Sequence, residues 1–566
     1  MDPINEPLLS SPSQRNCSPS KVRLGTPTFL ATLLCFCFAA FLLLNPARVH
    51  LCTNSPDPAS CHAIVADAVL TSPGAHPSRP ARVLRAILAR SLHQHDAAAA
   101  AVAGMHGRAS DPRQRAALAD CVQLMELARD RLADAADHTT ATPEDARTWL
   151  SAMLTDHVTC LDGLNNGPPR DAVGAQLEPL MSLASASLAV LNAVGSCTAA
   201  DDIARDVLAE AAADELPSWV PSADRALLEG SGAVQADVVV AKDGSGKYNT
   251  VQAAVDAAPD RGKRRYVIYV KKGVYKENLA VWKKKRELMI VGDGMDATVI
   301  TGSRNVVDGA TTFNSATLAV AADGVILQDL RIENTAGPEK HQAVALRVSA
   351  DRAVINRCRV DGYQDTLYAH QLRQFYRDCF VSGTVDFVFG NAAAVLQNCV
   401  ITTRRPARGQ KNAVTAQGRT DPNQNTGTSL HRCRVVPADD LAPVAEAFPT
   451  FLGRPWKVYS RTVYMQRTWA RTSTRGGGWS GTGTSRSTGS STGSTRTRGP
   501  GPARPGASSG RGTASSRTRA WPCSSPWGSS SRAATGSRAR VWRTTMGSDP
   551  WLLALRLMFV YSSSNL

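Results

Sequence analysis

Residues 355–360 read INRCRV, and the same six-residue shape returns as YRDCFV (376–381), LQNCVI (396–401) and LHRCRV (430–435), with LQDLRI (327–332) ahead of them. Each run opens on an apolar or aromatic residue and closes on Val or Ile. Four of the five put a cysteine in one slot (Cys358, Cys379, Cys399 and Cys433), at steps of 21, 20 and 34 residues. A repeat of about 20–30 residues, made of short β-branched runs with no helical pattern between them, is the signature of a parallel β-helix. One repeat is then one coil, and equivalent positions stack on neighbouring coils about 4.8 Å apart. The step of 34 marks a coil with an inserted loop. A sandwich or barrel would alternate without this slot-to-slot identity.

Outward from these repeats, the strand pattern begins at Ala236 with ADVVVAKDGSGKYNTV and continues through YVIYVKKGVYKENL and ELMIVGDG. Before it, residues 52–215 read as helices. CVQLMELARDRLADAAD aligns Cys121, Leu124, Met125, Ala128, Leu132 and Ala135 on one stripe at three-and-four spacing. TPEDARTWL offers Thr142 as an N-cap and Pro143 at the first helical position. The expectation is an all-α four-helix bundle followed by an all-β solenoid. Cys52 and Cys61 bracket a short loop and Cys121 and Cys160 lie on separate helices, which suits one local and one interhelical disulfide.

The N-terminal 28 residues read as a cytoplasmic segment. Arg15, Lys21 and Arg23 precede the apolar run Phe29–Leu44, which reads as a signal anchor or signal-peptide core with everything after it lumenal. This predicts membrane contact through that run and delivery into the secretory pathway. Export to an oxidising compartment in turn predicts paired cysteines, the 358/379/399/433 ladder included.

The net charge of +16 would ordinarily suggest a polyanionic partner such as nucleic acid. Its distribution excludes that reading for the folded part. Residues 467–548 hold 14 Arg and no Lys, Asp or Glu, which leaves +2 for the rest of the chain. The same stretch has no Leu or Ile and is dominated by Ser, Gly, Thr, Arg and Pro, too little apolar surface to offset the entropy of ordering it. Residues 467–566 thus read as a disordered, aberrant tail. GASSG (506–510) in that tail fits the serine-hydrolase pattern without the strand and helix the pattern needs. GSGK (244–247) lacks the spacing of a phosphate-binding loop.

GYQDTLY (362–368) and GTVDFVFG (383–390) each set an acid among apolar neighbours on runs that read as strand. Gln342, Asp365 and Asp386 are 23 and 21 residues apart, close to one coil each, so they should emerge side by side on one wall with Gln364 nearby. Two carboxylates that close cannot both ionise easily, so one keeps a proton. FLGRPW supplies Arg454 to hold the other ionised, and Trp456 offers a flat face for a sugar. Stacked acids in solenoids can also be plain ladders satisfying turn backbone; two acids, two Gln, an Arg and a Trp together point to a site.

The motifs GVYKE (273–277), HQAVALR (341–347), GYQDTLY, GTVDFVFGN and LGRPW occur in the order and spacing of pectin methylesterases. The helical region, with C-x8-C, ALADC and TWLSAMLT…TC, resembles the plant invertase/pectin methylesterase inhibitor domain. The resemblance spans about residues 52–466 and implies a right-handed β-helix (236–466) that hydrolyses methyl esters of pectin, that is homogalacturonan, in the cell wall. It implies Asp386 as nucleophile, Asp365 as acid then base, and Gln342 and Gln364 as oxyanion donors. Arg454 would orient Asp386, and Thr312, Gln342, Arg454 and Trp456 would meet the polymer, with no metal and no cofactor. The inhibitor-like bundle becomes the protein partner, within the chain or on another one. DRALL (224–228), in the 216–235 linker, resembles a weakened dibasic processing signal of that family. After Gln466 the motifs cease, and GGGWSGTGTSRS reads like the family's continuation one base out of register. The runner-up readings are an inhibitor-type binding protein, a pseudoenzyme lacking the end of its solenoid, and another β-helix polysaccharide enzyme, a lyase or a glycosidase.

Overall fold

The computed structural model describes residues 51–77, 79–137, 142–195, 216–230, 235–466, 468–469 and 491–494. The apolar run Phe29–Leu44, GASSG and most of the tail lie outside the described residues. Among the described residues, no helix is long and apolar enough to cross a membrane.

Among the described residues, five helices come first: α1 (Pro58–Thr71), α2 (Pro80–Arg108), α3 (Pro112–Ala136), α4 (Pro143–Gly163) and α5 (Pro168–Gly195). Each starts on proline, whose missing N–H is one the first turn would leave unpaired anyway. Asp57, Asp111 and Thr142 cap α1, α3 and α4, accepting from the backbone N–H of Ser60, Gln114 and Asp145 at 3.0, 2.7 and 3.1 Å. The long helices α2–α5 pack as a four-helix bundle, with α1 against α2 and α5. The predicted α3 stripe is buried throughout. Disulfides join Cys52 to Cys61 and Cys121 on α3 to Cys160 on α4, one local and one interhelical.

From Val238 the chain winds into a parallel β-helix with three sheets of ten, seven and eight strands, right-handed as parallel crossovers require. The six-residue repeats align slot for slot. Leu327, Ile355, Tyr376, Leu396 and Leu430 pair along the ten-stranded sheet, and Ile332, Val360, Val381, Ile401 and Val435 along the eight-stranded one. Between the two sheets the five repeat coils turn on a left-handed residue: Asp329, Arg357, Asp378, Asn398 and Arg432, with φ from 48° to 55°. The 34-residue step contains the predicted insertions, at 404–411 and 418–426.

The cysteine ladder corrects one expectation. Cys358, Cys379, Cys399 and Cys433 are buried free thiols, each sulfur hydrogen-bonded to backbone carbonyls. Parallel coils in register point equivalent side chains in the same direction, whereas a disulfide needs Cβ atoms that converge. Geometry overrides the compartment argument here.

The 216–235 segment carries local structure of its own. DRALL does not lie in an open segment: it forms most of helix α6 (Ser222–Glu229). Leu216, Val220 and Leu228 pack on the outer face of the ten-stranded sheet against Val291, Ile326, Val354 and Phe375. Asp224 is buried in an ion pair with Arg265 at 2.5 Å, and the Leu228 carbonyl accepts from Arg357 at 2.9 Å.

Strand pairing continues past Gln466. Thr468–Trp469 pairs with Arg434–Val435, and Ser491–Ser494 pairs with Arg461–Tyr464 as the tenth strand of its sheet. The register sets Ser494 beside Tyr464, in a slot that is apolar in the nine strands before it, from Val238 onward.

Candidate active site

The seven-stranded sheet positions the chemistry. Its inward residues, Leu279, Leu318, Leu346, Leu367 and Val388, belong to the solenoid core. The residue following each one points outward, giving the register column Ala280, Ala319, Arg347, Tyr368, Phe389, Ala416 and Arg454. Tyr368 and Phe389 stack at 4.1 Å, and Phe389 meets Trp456 at 6.1 Å. The glycine after Phe389 is required: Gly390 has φ 122°, and a Cβ there would lie 2.1 Å from the Ala369 carbonyl oxygen. Gly418 likewise leaves room for the Trp456 ring, 2.8 Å from where its Cβ would be.

Asp365 and Asp386 each lie two residues ahead of their strands, Leu367–Ala369 and Val388–Gly390, and those strands pair in register. Both acids sit in turns rather than on the strands the sequence suggested, in left-handed backbone with φ 61° and 51°. Aspartate tolerates that region better than most residues. The Asp365 N–H donates to the Val385 carbonyl at 3.0 Å, which ties one acid's turn to the next coil.

Arg454 closes on Asp386, its Nε donating at 2.8 and 2.9 Å to the two carboxylate oxygens and its terminal nitrogen to Oδ2. Burial raises both carboxyl pKa values. At Asp386 the Arg454 hydrogen bonds oppose that rise. Asp365 has no such partner and feels the Asp386 charge as well, so it goes well above the usual range. The two carboxyls are therefore held unequally, Asp365 pushed further toward its protonated form than Asp386.

Gln342, Gln364, Thr312 and Trp456 line the same cavity as the two acids and Arg454, about 630 Å³ in volume. Every residue of the sequence-predicted set is therefore brought together. The Gln342 register differs from expectation: it stands four residues ahead of its strand, against two for the acids. The Gln364 amide oxygen is buried without a hydrogen-bond partner. Among the described residues, no group of three or more His, Cys, Asp or Glu could hold a metal ion.

Sequence reasoning missed the other wall of the cavity, which is the helical bundle. Asp111, Gln114 and Asp120 of the α3 region and Thr159 and Asp162 of α4 line it opposite the acids. Thr159 meets His370 at 2.9 Å, and Asp162 pairs with Lys457 at 2.8 Å. Arg131 pairs with Asp323 at 2.6 Å, and Arg373 bridges Asp145 and Asp351 at 2.7 and 2.6 Å. The inserted loop 418–426 docks the bundle: Gln424 donates to the Ser151 carbonyl at 3.0 Å and Asn425 to Thr148 at 2.8 Å. No sequence signal announces such pairs, whose partners lie hundreds of residues apart.

Comparison with known proteins agrees with both halves. The pectinesterase family model matches residues 237–503 and the plant invertase/pectin methylesterase inhibitor model matches 49–190. The first match runs past Gln466, so the resemblance extends further than the ordered motifs. Pectinesterase 2.2 of Solanum lycopersicum is 48% identical over 471 residues, 81% of this chain and 84% of that one. Pectinesterase/pectinesterase inhibitor 18 of Arabidopsis thaliana is 44% identical over 485 residues, 82% and 85% of the two chains. Among solved structures, pectin methylesterase from carrot is 58% identical and covers 42% of this chain and 75% of its own, with a TM-score of 0.42. With two family models in tandem and relatives matched along most of their length, the chain belongs to the pectinesterase family.

Proposed function

We propose that this carboxylic ester hydrolase demethylates pectin through Asp386 and Asp365, with its own helical bundle holding the cleft shut beforehand. The observation that carries the reading is the unequal acid pair, one carboxylate clamped by Arg454 and the other pushed toward its protonated form by burial and the Asp386 charge. Asp386 attacks the methyl-ester carbonyl and the tetrahedral oxyanion takes hydrogen bonds from the Gln342 and Gln364 amides, each worth about 3 kcal/mol if well placed. Collapse breaks the C–O bond to the methoxyl group, and Asp365 delivers its proton so that methanol leaves. Asp365, now a carboxylate, takes a proton from water as that water attacks the acyl–Asp386 anhydride. The product leaves as a galacturonic acid that gives its proton to solvent, and both acids return to their starting states. Neither a metal nor a cofactor enters these steps. Thr312 and Trp456 contact the polymer.

The apolar run Phe29–Leu44 would take the chain into the secretory pathway, as a cleaved signal or as the anchor of a type II precursor, with the wall as destination. Release of the bundle by cutting at DRALL would require helix α6 to leave the sheet first. The segment from about residue 467 is proposed to arise from a shifted reading frame, which transcript sequence across the Gln466 codon checks.

The test is methanol release from highly methylated pectin by the full chain, carrying an engineered protease site within 231–234 and cut there, beside Asp386→Asn. Release lost on that substitution supports the aspartyl mechanism in a chain with this tail. Release that survives Asp386→Asn overturns it. Release only after the frame beyond 466 is restored would make this chain a broken copy of an esterase.

A further inference from the structure

Three successive coils leave the eight-stranded sheet at equivalent positions: Asp361, Ser382 and Thr402 are in register, and Gly383 pairs with Thr403. On the first coil the chain passes through Gly362 into the turn that carries Gln364 and Asp365. On the second it passes through Gly383 into the turn that carries Asp386. The third coil has no acid there and opens the inserted loop 404–411, whose first residue is Arg404. Neither glycine can take a side chain that would anchor its turn. A Cβ on Gly362 would lie 2.6 Å from the Thr366 hydroxyl oxygen, and one on Gly383 would lie 2.2 Å from the Phe387 Cβ.

The two acids are fixed by different means. Asp386 is gripped directly by Arg454, whereas Asp365 has no such arginine and the Gln364 amide oxygen has no partner. Gln364 and Asp365 are therefore aimed by the backbone of their turn. Arg404 grips that backbone from behind. One terminal nitrogen donates to the Gly362 carbonyl at 3.1 Å and the other to the Tyr363 hydroxyl at 2.6 Å, while the guanidinium carbon lies 3.8 Å from the centre of the Tyr363 ring. The Tyr363 carbonyl in turn accepts from the Thr384 N–H at 2.9 Å and the Thr366 hydroxyl at 3.1 Å, so the held residue links the first acid's turn to the second's.

Arg404 is itself held at its backbone. Its N–H donates to the Gly383 carbonyl at 2.8 Å, and its carbonyl accepts from the Asn412 amide at 3.0 Å. From there the side chain reaches back two coils, about 10 Å, a span that needs a long stem and a planar fork of donors. Its ion pair with Asp440 is the weaker contact, at 3.8 Å with side chains 27% and 40% exposed.

We infer that Arg404 is a positioning residue for the reaction: it fixes the turn of Gln364 and Asp365 against that of Asp386 and touches neither the ester nor the acids. This rests on the proposed roles of those residues. A shift of about 1 Å in reacting groups costs about a hundredfold in rate, which sets the size of the effect.

The test has one arm that needs no turnover. Hydrogen exchange of the backbone over 362–366 and 383–386 in the intact chain should quicken about tenfold in Arg404→Met, with the neighbouring strand 373–377 unchanged. In the cut chain of the methanol-release assay, Arg404→Met should lower kcat about a hundredfold with KM held within about twofold, and Arg404→Lys should recover about tenfold of that loss. Tyr363→Phe keeps the ring and removes one hydrogen bond, so it tests the clamp with little risk to folding; kcat should fall about threefold. Unchanged exchange in Arg404→Met, an unchanged kcat where the parent chain turns over, or a loss carried by KM would each overturn the inference. A parent chain that releases no methanol sinks the demethylation reading instead, and exchange alone then decides whether Arg404 holds the turn.

Discussion

The seven-stranded sheet has two faces made by the same strands. Inward, the slot reads Leu279, Leu318, Leu346, Leu367, Val388 and then Thr415 and Gly453 along the axis; outward, the next residue reads Ala280, Ala319, Arg347, Tyr368, Phe389, Ala416, Arg454. The inward face repeats over its first five coils because each of them needs the same thing, a branched side chain of similar volume in a close-packed column. The outward face does not repeat because each position meets a different object: a sugar ring, a carboxylate, the bundle. In a solenoid, repetition carries the fold and departure from repetition carries the function.

If the two faces are that separate, substitutions on each should hit different observables. The largest effect belongs outward. Asp386→Asn should cut methanol release by about 10,000-fold, roughly 5.5 kcal/mol in the barrier, with the circular dichroism of the folded chain retained. Asp365→Asn should slow the first, acylating turnover about 1,000-fold on a methyl ester and far less on an ester whose leaving group departs without a proton, read as the initial burst of released alcohol. Equal losses in that first turnover would break the assignment of Asp365 as the acid.

Inward, Leu396→Ala should leave the chemistry of folded molecules alone and lower stability by about 3 kcal/mol, read by denaturant unfolding. Leu396 is fully buried in the core and pairs with Tyr376 on one side and Leu430 on the other, so the cavity has rigid walls. An activity loss at unchanged stability would show that the faces are coupled.

The outward face also carries a pH dependence. Asp120 belongs to α3 and faces this sheet, and burial raises its pKa to about 6, against a hydrogen bond from Thr311, the charge of Arg347 and a hydrogen bond from Asn314. Asp156 is raised further, with Gln371, Arg131 and Arg347 facing it. A raised carboxyl pKa means the docked state holds its proton more tightly than the released one. Docking is therefore strongest below the ordinary carboxylate range and weakens as pH rises through about 6. For Asp120 the change is about 3 kcal/mol, near a hundredfold in the fragment dissociation constant of the cut chain. Asp120→Asn should flatten its share of the slope, which titration from pH 4 to pH 7 would show.

The same division explains what could be read from the sequence. The repeats that begin at Leu327, Ile355, Tyr376, Leu396 and Leu430 predicted the strand register correctly, because core slots repeat. The acid pair was legible through its step of 21 residues, which is one coil. Its left-handed turns were not, since aspartate permits that backbone without demanding it. Nor was the two-residue offset of Gln342, because a loop length is not a register. The paired-cysteine expectation held in the bundle and failed in the ladder, because compartment chemistry allows a bond that the coil geometry forbids. The bundle's contacts left no trace at all: an Asn425–Thr148 hydrogen bond has no local pattern to announce it.

The smallest expected effect tests whether charge at the rim of the docking face behaves differently from charge beneath it. Lys457 and Asp162 pair at 2.8 Å, but their side chains stay 24% and 26% exposed, so water screens both. Such a pair contributes about 0.2–1 kcal/mol, and Lys457→Ala should weaken docking no more than about fivefold at physiological salt. Lys457 also lies 5.3 Å from the Trp456 ring, a contact the same substitution removes. Lys457→Gln, compared at low and high salt, separates the two: a loss that disappears in salt belongs to the ion pair, and one that persists belongs to the ring. A salt-independent loss beyond tenfold would mean that Lys457 holds Trp456 in place, and the rim would then have to be counted with the site.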